Sequence, residues 1–327
     1  MRILVAIYSE FQSWCIPEVQ LDALRGLFPE HTFVRADSDE EALDRIRDAD
    51  AVFGSRVTRD QFLAAPRLRW VHSNAAGIGS MLFPEMVRSD VVMTNSRGNS
   101  SVTIAEHVIA VTLVLLRDLP LAWRRQSEKL WAQNEFNSGA SIRTLRGARV
   151  LVVGLGSIGS ETAKLASSFG AHVAAIRRRV DAPRPSGVGE VHAPSDLLAQ
   201  LPKADVVVLS APQTAATVHL IGERELAGMK DGAVLVNVSR GKLIDEAALV
   251  RALGTGRLRG AALDVFEHEP LDPASPLWNR PDVLITPHVS GFHADYWPQA
   301  IRLFADNLRR FVAGEPLANV VDKESGY

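Results

Sequence analysis

One cysteine, Cys15, stands in a chain of 327 residues. A single thiol excludes an internal disulfide and a thiolate metal cluster, and beside Trp14 it reads as a packed small side chain rather than a nucleophile. Net charge is also scarce: 36 Lys and Arg against 38 Asp and Glu leave −2. Without a global basic field, nucleic acid is not an expected partner. Long apolar runs are missing too. The longest stretch, VIAVTLVLL at 108–116, falls far short of the roughly 18–20 residues a membrane span needs. The opening MRILVAIYSE turns polar after seven residues, too early for a signal peptide's apolar core. No membrane association is expected, and a reducing cytoplasm is the expected compartment. His72, His219, His268 and His293 have no ligand spacing with cysteines or carboxylate clusters, so no metal is expected. No repeat of fixed period and no low-complexity segment occurs.

What is present suits a globular chain with two cores: 46% hydrophobic and 23% charged residues. Short apolar runs alternate with amphipathic stretches from end to end, the pattern of parallel sheets covered by helices. ILVAIY (3–8), HTFVRA (31–36), DAVFGS (50–55), WVHSNAAGI (70–78) and VVMTNS (91–96) are strand candidates of a first block. A helix opening near Ser100 or Ser101, carrying Ile104, Glu106, Val108, Val111 and Leu115, is apolar nearly all round and is expected to lie buried between domains. Residues 124–141 read as an exposed helix and loop. From Ala148 six more strand candidates follow: ARVLVVG, AHVAAI, DVVVLSAP, AVLVNVS, GAALDVF and VLITPH. Six strands are the tally of a doubly wound nucleotide-binding domain. The amphipathic stretch 298–314 is expected to cross back onto the first block. The domain reading is a substrate domain of 1–99 and 291–327, with a dinucleotide-binding domain of 100–290 between its parts.

The segment VGLGSIG (153–159) gives GxGxxG its required setting, after the apolar strand RVLVV and at the start of a helix. Gly154 permits the tight turn, Gly156 lets backbone N–H groups approach a pyrophosphate, and Gly159 lets helix pack on strand. The helix N-terminus then presents its positive dipole end to the phosphates. The second strand ends at Arg177, where an NAD enzyme usually carries an acidic residue for the ribose hydroxyls. Arg177, Arg178 and Arg179 cannot accept those bonds but can grip a 2′-phosphate. NADP is the expected cofactor, ahead of NAD.

Three polar groups follow strands of the same domain, where open α/β sheets bind ligands. Arg240 follows AVLVNVS, and His288 follows VLIT. Glu267, His268 and Glu269 all follow GAALDVF, and spacing does not choose among them. An arginine can hold a carboxylate bidentately. A histidine can give a proton to a carbonyl oxygen or take one from a hydroxyl, and a carboxylate beside it holds the ring and favours its protonated form. The set suits hydride transfer between a nicotinamide and a 2-keto or 2-hydroxy acid. His107, on the apolar helix, reads as a structural histidine. Tyr296 and Trp297 either wall a substrate pocket or cap the last helix.

NVSRGKLIDEAALVRAL (237–253), ALDVFEHEPL (262–271) and TPHVSG (286–291) resemble the D-isomer-specific 2-hydroxyacid dehydrogenase family. The likeness also takes in the GLGSIG turn, NSRGNSSVTIAEHVIAVTLVLLR (95–117) and NAAGIG (74–79). It implies an α/β fold of two doubly wound parallel-sheet domains, with a Rossmann cofactor domain inserted into a flavodoxin-like substrate domain and a cleft between them. By the resemblance Arg240 would bind the substrate's carboxylate and keto oxygen, and His288 would be the acid/base. Glu269, immediately before Pro270, would be its partner. Asp264 would reach the nicotinamide carboxamide, and the backbone at Ala76 and Gly77 would meet the substrate carboxylate. Thr103, Ser157, Ile158, Pro212 and Val238 would line the cofactor, with His288 beside it. The implied reaction is NAD(P)H-dependent reduction of a small 2-keto acid, such as glyoxylate or hydroxypyruvate, to the D-2-hydroxy acid.

Formate-oxidising relatives carry glutamine where this chain has Glu269, which disfavours that reaction. The wall Leu209-Ser210-Ala211-Pro212 is smaller than the family's usual segment. Trp131 lies near the place where a tryptophan of some relatives reaches a partner's site. A homodimer is the expected assembly, with the helix 101–118 and its polar extension as contact. The family also includes nucleotide-sensing co-repressors, so a binding module is the alternative reading.

Overall fold

The computed structural model describes residues 1–137 and 142–326. Residues 138–141, the end of the polar stretch expected as helix and loop, and Tyr327 lie outside the described residues. The chain forms two compact units, Met1–Asn99 with His293–Tyr327, and Ser100–Phe292. No helix among the described residues is long and apolar enough to cross a membrane.

The first unit holds five strands: β1 (Arg2–Ala6), β2 (Thr32–Arg35), β3 (Ala51–Gly54), β4 (Trp70–Ser73) and β5 (Val92–Asn95). All pair in parallel, in the order β2-β1-β3-β4-β5. This is the flavodoxin-like order, whose switch point lies between β1 and β3. Alternate side chains of β1 serve opposite faces, as the strand period requires. Leu4 and Ala6 join one core, and Ile3 and Val5 join the other. The helix Tyr296–Ala313 closes the second core with Ile301, Phe304, Ala305 and Leu308. Phe304 stacks on Phe53 at 4.3 Å and on Trp70 at 5.2 Å. The last helix therefore completes the unit that begins the chain.

The second unit holds seven strands: β6 (Arg149–Val153), β7 (His172–Ile176), β8 (Glu190–His192), β9 (Val206–Leu209), β10 (Val234–Asn237), β11 (Gly260–Leu263) and β12 (Val283–Ile285). Their order is β12-β11-β10-β9-β6-β7-β8, all parallel. Counted within the unit this is 3-2-1-4-5-6 with a seventh strand added at one edge, the dinucleotide-binding order. Six strands were expected. β8 escaped because it is an edge strand of three residues, Glu-Val-His, with no buried member. The apolar helix Ser101–Leu116 packs on the helix Ser157–Ser168 and against β10 and β11, within its own unit. Val108, Val111 and Leu115 enter a core with Val150 and Val152. Ser100 occupies the N-cap position, but its side chain makes no capping bond.

Beneath the β4–β5 edge lies a buried polar chain. Trp70 Nε1 donates to Thr94 Oγ1 at 2.9 Å, and Thr94 Oγ1 meets Nδ1 of His72 at 2.7 Å. With its lone pair engaged by the indole, the Thr94 hydroxyl gives its proton to His72, which fits a neutral imidazole. Burial alone pushes the His72 pKa down from 6.5 to about 3. Below pH 6.5 the unfolded chain binds a proton that the folded chain refuses, so stability is full above 6.5 and falls as pH drops towards 3. The slope from this group is about 1.4 kcal/mol per pH unit. Urea unfolding midpoints between pH 7 and 4 should fall steeply in the wild type and less steeply in His72→Gln. Equal slopes would remove His72 as the cause.

Candidate active site

The glycine loop is built for close backbone approach. Gly154 has φ +100°, the left-handed region, and a Cβ there would stand 2.4 Å from the amide of Ala211. A Cβ on Gly159 would stand 2.1 Å from the Gly154 carbonyl oxygen. Only glycine fits at either position. A Cβ on Gly156, by contrast, would have nothing within 4 Å. Gly156 is exposed and caps the helix Ser157–Ser168 with no side chain, so the first N–H groups of that helix keep the anion-binding character of a helix N-terminus. Ser210 Oγ donates to the Gly154 carbonyl at 2.7 Å, so the short Ser-Ala-Pro wall also braces the loop. The open cradle at Gly156 and the crowded flanks at Gly154 and Gly159 fit a dinucleotide. Ser157 and Ile158 start the helix, Pro212 is exposed after β9, and Val238 is buried after β10. Thr103 is partly buried near the start of Ser101–Leu116.

At the end of β7 the expected anion grip is partly used elsewhere. The Arg177 guanidinium donates to the carbonyls of Pro183 at 3.1 Å and Val180 at 3.4 Å, and to that of Ala182. Arg177 thus closes the turn that follows it, whereas Arg178 and Arg179 are exposed.

Three consecutive strand ends build the polar cluster. At β12, Nδ1 of His288 lies 2.7 Å from Oε2 of Glu269, and Oε1 of Glu269 accepts the Phe266 N–H at 2.9 Å. Burial works to raise the Glu269 pKa, but the bond and charge of His288, the Phe266 amide and the Arg240 charge outweigh it, and the carboxyl sits below its usual range. Arg240 is largely buried. Desolvation draws its pKa down, opposed by Glu269, and the guanidinium stays charged while donating to the Ser239 carbonyl at 2.6 Å. Structure therefore selects Glu269 from the three polar residues after β11. Glu267 turns instead to Glu246 and His219, its carboxylate 3.2 Å from His219 Nε2.

Several supports were not legible in the sequence. Asp264, expected at the nicotinamide, has both oxygens engaged by the loop that carries His288. Oδ1 accepts from Thr286 Oγ1 at 2.6 Å and Val289 N at 3.0 Å, and Oδ2 accepts from Ser290 N at 3.0 Å. The His288 amide donates to the Asp264 carbonyl at 2.8 Å. This clamp holds His288 at φ +53°, a conformation costing a non-glycine residue about 1–2 kcal/mol. His107 Nε2 lies 3.4 Å from the same Thr286 hydroxyl, and burial lowers its pKa. Glu246 and Glu267 form a reciprocal pair: Oε1 of Glu246 accepts Glu267 N at 2.6 Å, and Oε1 of Glu267 accepts Glu246 N at 3.1 Å. Burial, and then the charges of Glu267 and Glu269, hold the Glu246 carboxyl above its usual range. The turn after Arg240 also nests on the β11 loop, since a Cβ on Gly241 would fall 1.7 Å from the Phe266 carbonyl carbon.

In the first unit, Ala76 and Gly77 are exposed in the loop after β4. Asn95 Nδ2 holds the Ala76 carbonyl at 2.8 Å, and Ser73 Oγ accepts the Ala75 N–H at 3.2 Å. Tyr296 donates its hydroxyl to the Asn74 carbonyl at 2.8 Å.

Strand order and glycine loop define a two-unit α/β protein with a dinucleotide-binding second unit. The family description "D-isomer specific 2-hydroxyacid dehydrogenase, NAD binding domain" matches residues 109–290. A glyoxylate reductase of Korarchaeum cryptofilum is 33% identical over 88% of this chain and 87% of its own length. A D-3-phosphoglycerate dehydrogenase of Methanocaldococcus jannaschii is 32% identical over 86% of this chain but 53% of its own, so the chain spans about half the length of that relative. A D-isomer specific 2-hydroxyacid dehydrogenase of Xanthobacter autotrophicus, solved with NADPH and MES, is 30% identical with a TM-score of 0.85, covering 100% of this chain and 99% of that one. The chain belongs to the D-isomer specific 2-hydroxyacid dehydrogenase family.

Proposed function

We propose that the protein reduces a small 2-keto acid to the D-2-hydroxy acid. The observation that carries this is the 2.7 Å contact between His288 and Glu269, with the buried, charged Arg240 close enough to act on that carboxylate. Arg240 takes the substrate carboxylate and polarises the keto oxygen. With Nδ1 committed to Glu269, the proton exchanged with substrate is the one on Nε2 of His288. Glu269 stays ionised and stabilises the imidazolium. A bound reduced nicotinamide would supply the hydride. The proton from His288 completes the alcohol, and the ring leaves as neutral imidazole.

NADPH is the preferred cofactor in this reading, with Arg178 and Arg179 receiving the 2′-phosphate above the turn that Arg177 closes. The assembly is a homodimer of cytoplasmic protein, built on the extension after Ser101–Leu116. There Trp123, on the helix Leu119–Ser127, is 50% exposed, and Trp131, in the link that follows it, is 89% exposed, an apolar surface of the kind that marks an interaction site. A panel of 2-keto acids run with NADPH and NADH tests both parts. Turnover of at least one acid is expected, with kcat/KM at least tenfold higher for NADPH. Tight nucleotide binding with no turnover of any acid would replace the enzyme by the binding-module reading.

A further inference from the structure

Glu267 stands two residues before Glu269, and the proton transfer described above does not use it. Its carboxylate and that of Glu246 nevertheless hold each other's backbone. Glu246 Oε1 accepts the Glu267 N–H at 2.6 Å, and Glu267 Oε1 accepts the Glu246 N–H at 3.1 Å. His219 Nε2 lies 3.2 Å from that same Glu267 oxygen. The His219 backbone has φ +51°, and its N–H donates to the Lys242 carbonyl at 2.8 Å. Such a conformation in a non-glycine residue persists only where the surroundings impose it, and these places cluster at functional sites. Two carboxylates side by side also work against each other. Burial, and then the charges of Glu267 and Glu269, hold the Glu246 carboxyl above its usual range. A cap for the helix Glu246–Gly254 does not require this arrangement, since Asp245 already caps it by accepting the Ala248 N–H at 2.8 Å.

The exchange sits in the middle of a run of contacts that stays within the second unit. On one side, Asn237 Nδ2 and the Leu243 N–H both donate to the Arg240 carbonyl, at 3.0 and 3.2 Å, so Arg240 opens the turn that leads to Glu246. On the other side, carboxylates hold two successive amides of the β11 loop. Glu269 Oε1 takes the Phe266 N–H at 2.9 Å, and Glu246 takes the next. The other oxygen of Glu269 then meets His288 Nδ1 at 2.7 Å. We propose that Glu267 and Glu246 are positioning residues, whose exchange fixes the Arg240 turn against the loop of Glu269 and so places the His288 ring relative to the guanidinium. This rests on the reductase reading above and adds to it the residues that set its geometry. Both act through Glu269 and the Arg240 turn.

The test compares Glu267→Leu, Glu267→Gln and Glu246→Leu on the 2-keto acid of the panel that the wild type reduces fastest. Leucine removes both oxygens, whereas glutamine keeps an acceptor for the Glu246 N–H. Each leucine variant should lower kcat by about tenfold to a hundredfold, and Glu267→Gln should stay within about threefold of wild type. NADPH affinity, read by fluorescence, should not change in any of them. The double leucine variant should be no slower than the slower single one, because the two carboxylates act as one unit. A role confined to folding would lower the urea midpoint and leave kcat unchanged, and that result overturns the inference. Equal losses in Glu267→Gln and Glu267→Leu, or losses that multiply in the double variant, overturn it too. Should a leucine variant fail to fold, Glu267→Asp decides, because it keeps the charge but draws the oxygen back from the Glu246 amide. Its kcat should then fall at least about tenfold, and an unchanged kcat overturns the inference. Should the wild type turn over no acid of the panel, the reductase reading falls and takes this role with it. Turnover by the wild type with unchanged variants leaves that reading standing and removes only the role of the two carboxylates.

Discussion

Replacing His288 with asparagine should lower kcat for 2-keto acid reduction by about 10³-fold while leaving NADPH affinity within about twofold. Positioned general acids contribute 10²–10⁴-fold, and this one is held at both ring and backbone. Its ring is fixed through Nδ1 by Glu269 at 2.7 Å, and its backbone is clamped to Asp264 on both sides. Asparagine tolerates the left-handed φ of +53° at this position better than most residues, so the loop should keep its shape and the loss should be chemical. Steady-state rates with nucleotide titration by fluorescence check this. A kcat within tenfold of wild type would show that the proton comes from another group.

Gly241→Ala should disable the protein without touching any reacting group. Its Cβ would fall 1.7 Å from the Phe266 carbonyl carbon and 2.3 Å from the Glu267 amide. Both are backbone, so no side-chain rotation relieves the clash, and the two loops must part. One of them carries Arg240, and the other carries Glu269, tied through the Glu246–Glu267 exchange. A misplacement of catalytic groups by even 1 Å costs about 10² in rate. Overpacking of this kind also destabilises by about 3 kcal/mol. The variant should therefore lose about a hundredfold or more in catalytic efficiency and unfold at a lower urea midpoint. Full activity and stability would show that the two loops are not interlocked.

The sequence made the strands legible wherever a buried run of four or five apolar residues ended in a polar one. It hid β8, whose three residues at a sheet edge carry no hydrophobic signal. GxGxxG was readable because glycine is demanded by local sterics alone, at Gly154 and Gly159. The cluster was readable only in part. Arg240 and His288 stand directly after β10 and β12, so strand position names them. The choice among Glu267, His268 and Glu269 depends on how the chain turns after β11, which spacing does not encode. Glu246 and Glu267 are 21 positions apart and meet only because parallel pairing of β10 and β11 brings their loops to the same sheet end. Asp264 was assigned a ligand by resemblance, whereas its oxygens brace the His288 turn. Arg177 was read as an anion grip because sequence cannot show that residues 180–183 fold back to take its guanidinium. Tyr296 was left between pocket wall and helix cap, and the structure sets its hydroxyl on Asn74, behind the Ala76–Gly77 loop.

The central claim is that this histidine–carboxylate pair delivers a proton to a 2-keto acid as a nicotinamide delivers hydride. The most direct test mixes wild type and His288→Asn, each saturated with NADPH, with excess hydroxypyruvate, following absorbance and identifying the product's configuration. The account predicts stoichiometric NADPH oxidation and D-glycerate from the wild type, with oxidation slower by about 10³-fold in the variant at equal nucleotide occupancy. L-glycerate, or equal rates from the two proteins, would contradict it.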